Sequence, residues 1–284
     1  MHKAFKGKEI IMASDLHNYL RSKDAGRKSS ADRIITGNPD TKIKRVGTAW
    51  TPYLKTLEEA VRLGINIMVV YGPTFYMDKD PEEFENIGEQ CFIHTPSPAK
   101  EQYIEALDKK KKWIEKHDLV IIRSRDLPNA LTVPFGLGEK LGFRREHIVG
   151  SKKYYNTYRV ERTKAADLVR KIALDLKDLN QPGVAFYGDP ERYVSTVGIG
   201  TGEYCDPRSY AELKPDLTIG VDDTIWTWLQ TAYAEDTGNP LVVINQGTAE
   251  EMGMRLLNEL LQKEIPYLEF IHINQGCDYE WVAG

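Results

Sequence analysis

The run Leu241-Val242-Val243-Ile244 is followed by a change of period: Met252, Leu256, Leu257, Leu260 and Leu261 recur at helical spacing. The first run reads as a buried strand and the second as an amphipathic helix. Thr248 and Glu251 have the T-x-x-E spacing of a capping box, which places the predicted N-cap at Thr248 and Glu250 at the second helical position. The loop Asn245-Gln246-Gly247 then joins the carboxyl end of a strand to the amino end of a helix. In open α/β sheets ligands bind at such corners, and free backbone N–H groups there favour negative charge. On this stretch alone Glu250 reads first as a partner of the helix dipole.

The same alternation of periods runs through the chain. A short helix is expected over 8–23, a strand over 42–48, and a helix begun by Thr51-Pro52 and ended by Gly64. Residues 65–71 form the next strand, closing a βαβ unit at Tyr71-Gly72-Pro73. A helix over 98–115 carries Lys109 to Lys112, read as an exposed face. Residues 119–122 are a third buried strand, running into Arg123-Ser124-Arg125-Asp126, and 135–141 a short helix. In the second half, strands are expected over 154–160, 184–186, 194–199, 217–221 and 268–273. Leu168, Ile172, Leu176 and Leu179 share one face of a helix over 163–179, and Ile225, Trp228, Leu229 and Ala232 share a face of another. These elements predict an α/β protein with one lobe over 1–150 and a second over 151–284.

Composition adds mainly exclusions. The 284 residues suffice for a full core. A net charge of −4 provides no general field for nucleic acid or an anionic membrane. Three scattered cysteines make neither a disulfide framework nor a metal knuckle and suit a reducing cytoplasm. The start lacks the apolar stretch of a secretory signal, and no apolar run reaches the roughly 20 residues of a membrane helix.

Gly198-Ile199-Gly200-Thr201-Gly202 lacks the Lys-Ser/Thr of a phosphate loop and the helix of a dinucleotide fold, so it reads as a tight turn. There is no G-x-S-x-G and no paired zinc-binding histidine motif. Candidate chemistry gathers at strand ends: Asp126, Asp222, Asp223, Glu250 and His272, with Glu203, Cys205 and Asp206 as a further oxygen and thiolate group. Asp222 or Asp223 also suits the N-cap of the following helix. Arg123 and Arg125, two apart in an extended segment, face one way and could hold a carboxylate or phosphate.

Taken together, Val69-Val70-Tyr71-Gly72-Pro73-Thr74-Phe75, the Arg125 to Asn129 corner, Gly247-Thr248-Ala249-Glu250-Glu251-Met252-Gly253-Met254 and His272-Ile273-Asn274-Gln275-Gly276-Cys277 resemble the NIF-three-like family. Its members are also described as GTP cyclohydrolase I type 2 homologues or dinuclear metal-centre hexameric proteins. The resemblance implies a NIF-three-like fold of two related, interlocked α/β lobes with mixed sheets, a two-metal site between them and a toroidal homo-hexamer. The family's ligand pattern is not kept. Where it has His-His-Pro or His-Glu-Pro this chain has Tyr71-Gly72-Pro73. Arg125 and Asn129 align with a His and an Asp, and Asn245-Gln246 stands for Gly-His or Asn-His. Glu250 alone matches a ligand. Two adjacent divalent cations need several anionic or imidazole donors, so no cofactor is expected at the family site.

The expected function is a degenerate dinuclear site at the interlobe crevice. It would bind a small anionic ligand through Tyr71, Arg125, Asn129, Gln246 and Thr248, or serve as an oligomeric scaffold. The alternative is a metal-dependent hydrolase holding zinc, manganese or iron on Glu250, with Asp222, Asp223 or His272 as further ligands. The expected partners are copies of the chain and a small molecule, with neither a membrane nor nucleic acid.

Overall fold

The computed structural model describes residues 10–23, 32–75, 97–152, 155–200, 212–223, 225 and 228–282. The chain divides into two compact units. The first is Met1–Ala130 with Leu257–Ile273, and the second is Leu131–Leu256 with Asn274–Gly284.

The first unit contains α1 (Ala13–Ser22), β1 (Arg33–Thr36), β2 (Val46–Ala49), α2 (Leu54–Arg62), β3 (Ile67–Val70), α3 (Ser97–Lys116), β4 (Val120–Arg123) and α4 (Asp126–Leu131). Every residue of β2, β3 and β4 is buried, as expected of parallel strands covered on both faces. The second unit contains α5 (Val133–Lys140), β5 (Ile148–Lys152), β6 (Tyr155–Lys164), α6 (Ala165–Asp175), β7 (Ala185–Tyr187), β8 (Tyr193–Ile199), β9 (Leu217–Val221), α7 (Trp228–Thr237) and β10 (Leu241–Ile244). Helix α8 (Gln246–Glu264) passes from the second unit to the first at Leu256–Leu257, and β11 (Phe270–His272) completes the first sheet.

Both sheets are mixed. In the first, of order β1-β4-β3-β2-β11, the four strands from β4 to β11 are parallel and β1 is antiparallel to β4. The second has the order β5-β6-β8-β9-β10-β7, with a parallel centre of β8, β9 and β10. Each unit has its own core, around Leu57, Val70, Ile114 and Ile121 in the first and Leu168, Ile172, Val197 and Ile219 in the second. This is the expected α/β class with mixed sheets.

Three local expectations are corrected. The N-cap of α8 is Asn245, whose Oδ1 accepts the Thr248 N–H at 3.3 Å, so Glu250 lies a turn inside the helix. A short amide side chain in the correct frame caps as well as a hydroxyl, and the T-x-x-E pattern lies three residues too late. Lys110 departs from its neighbours, because the α3 face carrying it turns inward: it is 2% exposed and donates to the Thr74 carbonyl at 2.6 Å. In α7 the expected apolar face is largely outside, with Trp228 75% and Leu229 53% exposed, while Gln230 and Ala234 are buried. Strands β1 and β5 and helix α4 lay outside the sequence expectation. They are short, and the edge pairing of β1 depends on β4, distant in the chain.

Candidate functional site

In the first unit, the ends of β3 and β4 position the Tyr71 corner. The N–H groups of Tyr71 and Gly72 both donate to the Trp50 carbonyl, at 3.0 and 2.7 Å. A Cβ on Gly72 would lie 2.2 Å from Thr51 Oγ1, so this turn demands glycine. Tyr71 is 5% exposed, and its hydroxyl donates to Asn129 Oδ1 at 2.9 Å. The half-buried Arg125 guanidinium lies 5.3 Å from the centre of the Tyr71 ring, a cation–π distance. Tyr71, Arg125 and Asn129 therefore come together, as the sequence suggested.

Two further cations hold the same loop. Buried Arg123 donates from Nε to the Tyr71 carbonyl at 3.3 Å, and Lys110 holds the carbonyl of Thr74. Burial pushes the Lys110 amine down to about 8. Asp32, 5% exposed, accepts the N–H groups of Arg125 at 2.6 Å and Asp126 at 3.1 Å, which fixes the start of α4 and the direction of Arg125. The buried hydroxyls of Ser124 and Thr74 have no hydrogen-bond partner among the described residues. The sequence pattern offers no reason to place Asp32 here, and it puts Lys110 on an exposed face. Asp32 lies 93 residues from Arg125, and Lys110 sits in a run that resembles a solvated face.

His272, also in the first unit, lies with Nδ1 3.0 Å from Thr48 Oγ1, and that hydroxyl donates to Asn258 Oδ1 at 3.0 Å. It belongs to a Thr-Asn-His network between β2, α8 and β11.

The second unit holds the other corner. Asn245, 2% exposed, is its hub. Its Nδ2 donates to Asp222 at 3.0 Å and Asp278 at 2.7 Å, its Oδ1 accepts the Asp278 N–H at 3.2 Å, and its own N–H donates to Gln181 at 3.1 Å. Asp222 also accepts the Gln246 N–H at 2.9 Å. A carboxylate of the chain itself thus occupies the amino end of α8, the place where such a helix end would hold an external anion. Burial, with the nearby Asp222 charge, pushes the Tyr279 hydroxyl up to about 12. Asp223 is exposed. Thr248, Glu250 and Glu251 are all buried, and Glu251 Oε1 accepts the Gln275 N–H at 3.2 Å. Glu203, Cys205 and Asp206 lie outside the described residues.

Among the described residues no group of three or more His, Cys, Asp or Glu side chains is placed to hold a metal ion. No helix among them is long and apolar enough to cross a membrane.

No family model matches the sequence, and no curated protein matches it. Solved structures do match its fold. The Staphylococcus aureus hypothetical protein SA1388 aligns with a TM-score of 0.71 at 15% identity, over 95% of this chain and 99% of that one. A Bacillus cereus protein related to NIF3 aligns with a TM-score of 0.70 at 11% identity, over 98% and 100%. Reduced HcgD from Methanocaldococcus jannaschii aligns with a TM-score of 0.66 at 16% identity, over 93% and 98%. The two mixed sheets and the helices around them have the fold of the NIF3-related proteins.

Proposed function

We propose that this chain is a NIF3-like protein whose dinuclear metal corner has become a site for a small anion, in an assembly of several copies. The observation that carries this reading is Arg125, half-buried over Tyr71 and directed by Asp32, at the corner where the family resemblance places a histidine ligand. A guanidinium is always charged and forks onto carboxylate or phosphate. The same charge opposes a metal. Two like unit charges 4 Å apart at an effective dielectric of 20 repel by ~4 kcal/mol, and a divalent ion doubles that. The neutral Tyr71–Asn129 pair supplies no compensating donor. The residues of this corner do not fit a two-metal centre.

The Tyr71 ring lies at cation–π distance from the guanidinium, and Asn129 holds the Tyr71 hydroxyl, which limits the rotamer freedom to be lost on binding. Arg123 and Lys110 add positive charge beneath the loop while fixing its carbonyls. Titration calorimetry with inorganic phosphate and with a small dicarboxylate tests the reading. Saturable binding is expected, weakened about tenfold in Arg125→Gln through loss of one charge-assisted contact. Equal affinity in the variant refutes it. Metal analysis of protein purified without chelator provides a second check: a stoichiometric transition metal overturns the reading.

A further inference from the structure

Strand β6 departs from regular pairing far from either corner. Arg159 pairs with Thr196 and Thr163 with Val194, so four steps along β6 oppose two along β8. Such a bulge bends a strand and re-aims its side chains. It faces a cavity of about 580 Å³ lined entirely by residues of the second unit, within the usual size range of small-molecule sites. Leu141, Phe143 and Leu168 are buried around it and Val160 is half-buried, making an apolar floor.

The charges around this floor are unequal in their commitments. Asp167 pairs with Arg170 at 3.1 Å. Lys171 pairs with Asp175 and donates to the Leu141 carbonyl at 3.0 Å. The Arg162 guanidinium stacks 3.9 Å from the centre of the Tyr193 ring. The Arg159 side chain, exposed on the bulge, makes no ion pair or hydrogen bond among the described residues, and it does not pair with Glu161 beside it. A cation left over at the rim of an apolar cavity suits an amphiphilic anion. Glu161, two residues along, opposes a second negative charge.

We propose that this cavity binds a small amphiphilic monoanion, with an aromatic or branched aliphatic body against Phe143, Val160 and Leu168 and one acidic group on Arg159. Body and head contribute separately, the body by removing apolar surface from water and the head by a charge-assisted hydrogen bond.

Anilinonaphthalene sulfonate, which fluoresces when desolvated, has this chemistry and serves as the probe on the full chain. The expected result is one saturable site per chain. Arg159→Gln weakens it about tenfold, the loss of one charge-assisted contact, and Val160→Trp, which fills the cavity, removes it. Lys214→Gln, a basic residue elsewhere in the same unit, leaves it unchanged. The uncharged parent phenylnaphthylamine binds the native chain no better than the sulfonate binds Arg159→Gln. Absence of saturable binding overturns the proposal, as does an affinity that either cavity variant leaves unchanged. Both cavity substitutions lie at exposed or half-buried positions, and matched thermal melts confirm that the variants are folded.

Discussion

Replacing Lys110 by Met tests whether a buried charge beneath the Tyr71 corner strains the first unit. Lys110 is 2% exposed, and burial lowers its amine from the ordinary 10.5 to about 8. The folded chain therefore releases this proton near pH 8, and the unfolded chain keeps it to about 10.5. Between those values the unfolded state binds more protons, so stability rises with pH across that window. Below pH 8 the penalty is constant. At ~1.4 kcal/mol per pH unit it amounts to about 3 kcal/mol. Methionine removes the charge with little change of length. It also leaves the Thr74 carbonyl without the 2.6 Å hydrogen bond, at a cost of about 1–3 kcal/mol, so at pH 7 the two effects largely offset. The decisive quantity is the slope. Urea unfolding of both proteins from pH 7 to 10 is expected to show the native chain gaining about 2–3 kcal/mol relative to Lys110→Met, other titrating groups cancelling in the difference. A difference that stays flat across this range refutes the desolvated amine and returns Lys110 to the solvated face its sequence suggests.

Asn245→Ala removes the α8 cap and the shared donor of Asp222 and Asp278. A loss of about 3 kcal/mol is expected, read as a lower urea midpoint, and a loss below ~0.5 kcal/mol contradicts the hub assigned to this residue. Gly253→Ala sets a Cβ 2.5 Å from Val133 Cα, and the backbone of Gly253 already lies 2.3 Å from where a Gly136 Cβ would stand. Helices α5 and α8 meet there by backbone, so a drop of about 1–3 kcal/mol is expected by thermal melting, and a neutral outcome refutes the close approach. Asp32→Asn keeps the shape but leaves one acceptor for the two N–H groups of Arg125 and Asp126. Stability should fall by about 1 kcal/mol, with weaker phosphate binding as Arg125 loses its direction. Unchanged calorimetric affinity separates Asp32 from the anion site.

The parts legible in the sequence were those with a local cause. The runs at β3, β9 and β10 are four or five apolar or small residues bounded by a change of period, β4 is three apolar residues ending in Arg123, and all four lie where that pattern puts them. Gly64 and Asn180, in left-handed conformation, mark the helix ends that their residue types predict. The Tyr71, Arg125 and Asn129 corner was also legible, because each residue terminates or follows an identifiable element. The frame of the α8 cap was not. Its Asn245 is defined by Asp222, Gln181 and Asp278, which lie 23, 64 and 33 residues away.

By itself, then, the sequence determined the alternation of strand and helix, the α/β class and the corner at Tyr71, since hydrophobic period, turn residues and capping act over a few positions. Only the tertiary structure decided that Lys110 turns inward, that Asp222 takes the amino end of α8, and that β6 bulges beside a cavity with Arg159 uncommitted at its rim. Those outcomes depend on which distant segment supplies a partner or excludes water, and a charged side chain has the same local pattern whether it meets solvent or a carbonyl.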